Sequence, residues 1–457
     1  MKRFISGLLL IASGEVNATG TLILNETFTT SALNDPSSWA LSYSGTQPCL
    51  TAKSSSSVAQ VLAIGSMVGC SNPSPYNTTD ASESGTFQLT NASQIQSGTL
   101  LYNTAMPTSG GLDISFLTSQ WGGNGADGIS FYTKDGRNTS TNPGPTGGAL
   151  GYAQVNGTTP GIHGALFGVG LDVYGSFSTS TYGGSACSNQ GTGGTRVLTS
   201  VVVRGEDTSN IGVSPYGTGL STSGFCFLGG TNTGVVPHGS NRSNGTFAVR
   251  IIVDPPTVTA TRKIRVYTAT SLSSISGALT TDANGSYVAS ASATLTVDAP
   301  NIFYTVPSFK FGFSASTGGS TDYHQVWTTS VNSVNPLTVT VTADNAASAP
   351  GSALASISYT YVASSGTPTF VSSPSCSAYT DNTYSTLVSS STVPGSYVTH
   401  CSGGVATGYA FSYVDGVYTV GTAAPAAVPT LSEWAQLMLG LMVISMLGWH
   451  FYRERSY

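Results

Sequence analysis

Between Thr19 and Asn335 no stretch carries a sustained 3.6-residue apolar period, and this constrains the fold more than any other feature of the chain. Apolar residues recur instead in short or alternating runs: Leu22-Ile23-Leu24, Gly128-Ile129-Ser130-Phe131-Tyr132, Ser200-Val201-Val202-Val203, Phe247 to Val253 and Lys263-Ile264-Arg265-Val266-Tyr267. Gly, Pro and Asn separate them, the pattern of strands ended by turns. Many short strands with turns between them predict an all-β sandwich or barrel. Hydrophobic residues at 39% and aromatics at 10% are enough for large cores. Only 8% of residues are charged, far below the quarter usual in soluble domains. With a net charge of -5 and no Lys/Arg run in the body, the chain lacks the basic footprint that nucleic acid requires.

The two ends differ from the body. Lys2 and Arg3 precede the short apolar run Phe4 to Ala12, and Val16-Asn17-Ala18 offers a small-residue cleavage site. This order predicts a signal peptide over 1–18, with a buried first strand as the alternative. Asn335-Pro336 ends the long β region, so one large domain is expected over 19–335. A Ser/Thr-rich β module over 336–422 opens with Leu337-Thr338-Val339-Thr340-Val341-Thr342. A linker of small residues and Pro then leads to an apolar segment, Ala435 to Tyr452, followed by Arg453 and Arg455. The segment 423–457 therefore reads as a linker and a C-terminal transmembrane helix with its basic end cytoplasmic.

The cysteines Cys49, Cys70, Cys187, Cys226, Cys376 and Cys401 fall into three local pairs, none with the C-x-x-C spacing of zinc sites. Of 15 connectivities the sequential one is expected, because each bridge would then staple one insertion within one domain. Disulfides imply an oxidising compartment, in keeping with export.

Three segments of the first domain resemble legume-type (L-type) lectins, in the family's order. The first is Gly125-Ala126-Asp127-Gly128-Ile129-Ser130-Phe131. The resemblance implies a cis Ala126–Asp127 peptide that aims Asp127 at a sugar, where a carboxylate accepts hydrogen bonds from adjacent hydroxyls. The bland alternative for Asp127 is a turn residue before a strand. The second is Gly147-Gly148-Ala149-Leu150-Gly151-Tyr152, similar to the family's glycine loop, whose backbone N–H reaches the ligand because no side chain intervenes. The third and most specific runs from Phe311 to Trp327 and looks like the family's last hairpin, with Gly318, Gly319, Ser320 and Thr321 as the loop that tunes sugar choice. His324, at the start of its second strand, reads as structural. The fold implied is a concanavalin A-like jelly-roll sandwich.

The family's metal segment is altered. Plant members carry Glu-x-Asp and then Asn, Asp and His around calcium and manganese. Here Gly170 stands where the Glu would be, Asp172 remains, and no Asp, Glu or His occurs between Val173 and Arg204. Asp172 is thus the sole candidate ligand and calcium the candidate ion, although one carboxylate plus carbonyls makes a poor cage. The segment Asp172, Gly175, Phe177, Ser178 with Ser200 to Gly205 is similar to a bacterial branch of the family, with Ser176 in place of its Asn. The loop from Tyr174 through Ser176 to Phe177 is a further candidate part of the sugar site, with Tyr174 or Phe177 as a stacking face or else core.

The second module resembles the MBG-type β repeats of bacterial surface proteins, on Leu337 to Asn345, Val393 to Tyr397 and Tyr413 to Val420. Such modules act as spacers; a second glycan-binding role is the alternative. Val428-Pro429-Thr430-Leu431-Ser432-Glu433-Trp434 is similar to the IPTL-type C-terminal sorting signal of Gram-negative bacteria, which a sorting enzyme removes; a plain membrane anchor is the alternative.

These readings converge on a non-catalytic glycan-binding protein of the cell surface, anchored by, or released from, its C-terminal helix. One rival is a structural surface or matrix protein with a degenerate lectin fold. The other is a glycoside hydrolase of the same fold, whose chemistry needs two carboxylates flanking the bond. Only Glu206 among the six Glu has an acidic neighbour, Asp207, and adjacent strand residues face opposite ways. The chain is therefore expected not to be an enzyme.

Overall fold

The strand Ser308–Thr317 shows how two-residue periodicity builds this protein. Phe309, Phe311, Phe313 and Ala315 enter the main core. The alternate residues face the other way and hold loops: the Ser314 and Ser316 hydroxyls donate to the Leu150 and Gly147 carbonyls, and the Lys310 ammonium to that of Asn138. The structure, a computed structural model, describes residues 20–71, 79–188, 191–192, 195–209, 218–232, 236–421 and 441–443.

Two sheets dominate the described residues. A seven-stranded antiparallel sheet runs in the order Phe227–Asn232, Ser200–Arg204, Ala165–Asp172, Gly128–Asp135, Ser308–Thr317, Gln96–Pro107, Trp39–Ser44. A ten-stranded sheet has Leu112–Trp121 and Tyr323–Asn332 at its centre, with Thr246–Val253 and Lys263–Ala269 on one side and Phe87–Thr90 on the other. Their inner faces share one core, in which Phe116 of the large sheet meets Phe313 of the smaller edge-to-face, with centroids 5.0 Å apart. The all-β sandwich expected from the sequence is what forms.

The outer face of the seven-stranded sheet is covered as well. Leu150, Tyr152, Ala153, Ile162, Phe177 and Phe225, all from loops, pack on Tyr132 and Val202 of the sheet as a second core. This second layer brings the long loops to rest against the strands instead of leaving them in solvent.

The disulfides pair as expected: Cys49–Cys70, Cys187–Cys226 and Cys376–Cys401. The chain divides into two compact units. The first takes the described residues up to 339 together with 363–371 and 405–411, and the second takes those of 340–362, 372–404 and the rest. In the second, Ala346–Ser348, Gly416–Val420, Gly395–Ser402 and Ser375–Tyr379 form a sheet around Tyr418 and Val420. Cys376 and Cys401 face each other across its last strand pair. The expected signal peptide lies outside the described residues. So does the expected transmembrane segment apart from 441–443, which are helical. No helix among the described residues is long and apolar enough to cross a membrane.

Phe313 fills the inter-sheet core between Phe116 and Phe131. Phe313→Ala should lower unfolding free energy by about 3–5 kcal/mol in a denaturant titration. Tyr43→Ala, at a position 42% exposed, should change it by less than about 1 kcal/mol.

Candidate functional site

The site forms where the chain crosses between the sheets. Leu112–Trp121 belongs to the large sheet and Gly128–Asp135 to the small one, so 122–127 bridges them. Residues 318–322 bridge Ser308–Thr317 and Tyr323–Asn332 in the same way. These last strands were expected as a hairpin, but they do not pair with each other. Ser308–Thr317 has its edges filled by Gln96–Pro107 and Gly128–Asp135, and Tyr323–Asn332 by Phe87–Thr90 and Leu112–Trp121.

The two crossings are tied together. The Asn124 N–H donates to the Thr321 carbonyl at 2.8 Å, and the Thr321 N–H to Asn124 Oδ1 at 2.7 Å. The Gly123 N–H donates to Asp322 Oδ1 at 3.0 Å, and His238 Nε2 lies 3.0 Å from the same oxygen. Burial pushes the Asp322 carboxyl up to about 6, against the pull of His238.

Asp127 stands at the end of the first crossing, and its peptide with Ala126 is cis, as the resemblance implied. Its N–H donates to the Ser316 carbonyl, and its own carbonyl accepts from the N–H groups of Val173 and Tyr174, all at 3.1 Å. Two separate segments, at Ser316 and at Val173-Tyr174, thereby fix its backbone. The residue is 4% exposed, and its Oδ2 has no hydrogen-bond partner. Burial pushes the carboxyl up to about 7, opposed by the Arg196 guanidinium and the Gly318 N–H.

Two glycines border that oxygen. A methyl group on Gly318 would sit 3.0 Å from Asp127 Oδ2 and 3.4 Å from the Gly147 Cα. Gly147 has φ +71°, which favours glycine, and space around it is open. The Ser316 hydroxyl fastens it by donating to its carbonyl at 2.5 Å. Gly148 faces the other way: a side chain there would collide with Ser176 and the Tyr182 hydroxyl. The structure thus brings together Asp127, Gly147 and Gly318, while Gly148 packs beneath them against Ser176. Gly319 is exposed and its carbonyl accepts from Gln94 Nε2 at 2.6 Å; Ser320 and Thr321 are half-buried.

Two expectations need correction. Phe177 is not a stacking face. It is fully buried in the second core, with its ring edge-to-face against Tyr152 at 6.3 Å. Any side chain at Gly170 would strike that ring, so the packing of Phe177 admits only glycine there. Asp172 does not present a metal ligand. It is fully buried, and its two oxygens accept from the N–H groups of Gly175 at 2.7 Å and Phe177 at 2.6 Å, holding the loop that follows. No group of three His, Cys, Asp or Glu among the described residues could hold a metal, so this donor set does not fit a calcium cage. His324 is an interior residue: its Nδ1 lies 2.7 Å from the Thr90 hydroxyl, and burial pushes its pKa down to about 3.

Tyr174 is half-buried, and the Arg196 guanidinium lies over its ring at 4.1 Å from the centroid. Arg196, His238 and Asn124 were missed by the sequence reading. Asn124 lies three positions before Asp127 and was within reach of the motif. Arg196 and His238 come from loops with no pattern to mark them.

No family model and no curated protein matches the chain. Among solved structures it is similar to the exoplasmic/lumenal domain of VIP36 in a Ca2+/Man3GlcNAc-bound form: TM-score 0.34, 12% identity, 65% of this chain and 86% of that one. It is similar to the Lotus tetragonolobus seed lectin at TM-score 0.34 and 16% identity, over 68% of this chain and 97% of that one. It is also similar to a Bauhinia forficata lectin in complex with GalNAc, at TM-score 0.31 and 14% identity, over 55% and 88%.

The raised pKa of Asp127 has a consequence for stability. An unfolded carboxyl releases its proton near the ordinary 3.8, the folded one near 7. Between these values the folded chain holds the extra proton, so stability falls as pH rises from about 4 to about 7 and is then level. At about 1.4 kcal/mol per pKa unit the loss is bounded at roughly 4 kcal/mol. Asp127→Asn should reduce this fall in denaturant titrations across that window. Asp322 acts with the same sign, so part of the slope should remain.

Proposed function

We propose that this chain is a carbohydrate-binding protein that leaves its ligand chemically unchanged, exported and displayed at the cell surface. The observation that carries the reading is the buried, unpartnered Oδ2 of Asp127 beside Gly318 and Gly147. Buried polar atoms nearly always find partners. An acceptor without one, bordered by two residues without side chains, suits the hydroxyl groups of a sugar approaching from solvent. The three hydrogen bonds that fix the Asp127 backbone from two segments supply the rigidity such an anchor needs.

Hydrolysis asks for a second free carboxylate near the first. Asp172 is close enough for its charge to bear on that of Asp127, but both of its oxygens are committed to Gly175 and Phe177. This favours binding over catalysis. Three disulfides suit an oxidising compartment. Export through a signal peptide over 1–18, an MBG-like spacer over 336–422 and an IPTL-like tail over 423–457 complete the proposal, with the body outside the membrane.

The test is a glycan array probed with the full chain and with Asp127→Asn. The parent chain should bind a subset of glycans, and the variant should bind them at least about tenfold more weakly with its melting temperature not lowered. A folded variant that binds as before would move the site elsewhere. A parent chain that binds no glycan would favour the structural surface protein with a degenerate site.

A further inference from the structure

Most of the described arginines are committed to partners. Arg137 pairs with Asp135, Arg242 with Asp80, Arg250 with Asp113, and Arg265 with Asp254 and Asp282. Arg204 is buried and donates to the carbonyls of Phe177, Thr179 and Phe225. Arg262 lies over the Tyr304 ring. Arg196 is also stacked, but at the candidate site. Among the described residues it forms no ion pair or hydrogen bond through its exposed side chain, and it is the one cation there whose charge acts on Asp127.

Its position is built, not accidental. The Val197 N–H donates to the Gly175 carbonyl at 3.1 Å and the Thr199 N–H to the Val173 carbonyl at 3.0 Å. The segment carrying Arg196 is thereby laid along 173–175. Tyr174, the ring beneath the guanidinium, donates its own N–H to the Asp127 carbonyl at 3.1 Å. The backbone segments that carry the cation, the ring and the carboxyl group are thus joined to one another by main-chain hydrogen bonds.

We propose that Arg196, stacked on Tyr174 beside Asp127, selects glycans whose sugar carries a carboxylate. This rests on the reading of Asp127 as the sugar anchor. Stacking occupies the face of a guanidinium and leaves its N–H groups, which lie in the plane, free to point outward. Two of them match the two oxygens of a carboxylate, a geometry no neutral hydroxyl reproduces. Asp127 and Arg196 then serve different parts of one acidic sugar: the first accepts from ring hydroxyls, the second donates to the acid group. Burial, which favours the protonated form of Asp127, reduces the repulsion that two carboxylates at one site would otherwise suffer.

The probes are uronate-bearing oligosaccharides and the same oligosaccharides with the carboxyl group reduced to an alcohol. Each is titrated with the full chain and with Arg196→Gln, Arg196→Lys and Asp127→Asn. The parent chain should prefer the uronate by about tenfold or more, and that preference should shrink as ionic strength rises. Arg196→Gln should abolish the preference, bringing uronate binding down to that of the reduced glycan in the same variant. Arg196→Lys should retain part of the preference, having charge without the fork. If the reduced glycan binds as tightly as the uronate and Asp127→Asn abolishes both, the anchor stands and the selectivity assigned to Arg196 is wrong. If Arg196→Gln weakens both glycans equally, Arg196 acts only through Asp127 and the proposal is overturned. If no glycan binds the parent chain, both readings fall.

Discussion

A strand with neighbours on both edges cannot also pair with the strand that follows it. Much of the candidate site depends on this constraint. Ser308–Thr317 lies between two partners in the small sheet, so the chain must leave for the large sheet after Thr317. Gln96–Pro107 is flanked by Trp39–Ser44 and Ser308–Thr317, and Leu112–Trp121 by Thr246–Val253 and Tyr323–Asn332. Crossings replace hairpins, and two of them, 122–127 and 318–322, meet through the mutual hydrogen bonds of Asn124 and Thr321. Asp127 gains its setting from that meeting.

The second theme is how a chain with 8% charged residues uses them. Many are buried and hold backbone. Arg204 gathers three carbonyls from two loops, and Asp172 gathers two N–H groups from one of them. Glu26 accepts from the N–H groups of Phe28 and Asn34. Arg250 and Asp113 pair across neighbouring strands at 2.8 Å. A buried charge with several hydrogen bonds fixes a loop where turn residues alone would leave it free, because breaking the set strands an ion in a low-dielectric interior. The loops over the small sheet are therefore rigid enough to carry a site.

The Asp127 group departs from this scheme. Its main-chain atoms are fully used, yet one side-chain oxygen is left without a partner, as is Oδ2 of Asp322 in the second crossing. The contrast with Asp172 is instructive. Both are buried aspartates near the same strand ends, but Asp172 faces the turn it stabilises and Asp127 faces two glycines. Chemistry in the sequence is the same; the surroundings separate a loop anchor from a candidate ligand anchor.

The sequence by itself determined the all-β class and pointed to the local disulfide pairs, through two-residue alternation, turn residues and the spacing of cysteines. The segments that meet at the site, with Asp127, Gly147 and Gly318, were marked by their resemblance to legume-type lectin motifs. The tertiary structure decided the rest. Phe177 became core and Gly170 the space for its ring, since packing on the far face of a sheet has no signature along the chain. The expected last hairpin became a crossing, since whether a strand pairs with its successor depends on which edges distant strands have taken. Arg196 and His238 joined the site from loops without motif, brought there by backbone hydrogen bonds and by the His238–Asp322 side-chain contact that only the folded chain can form.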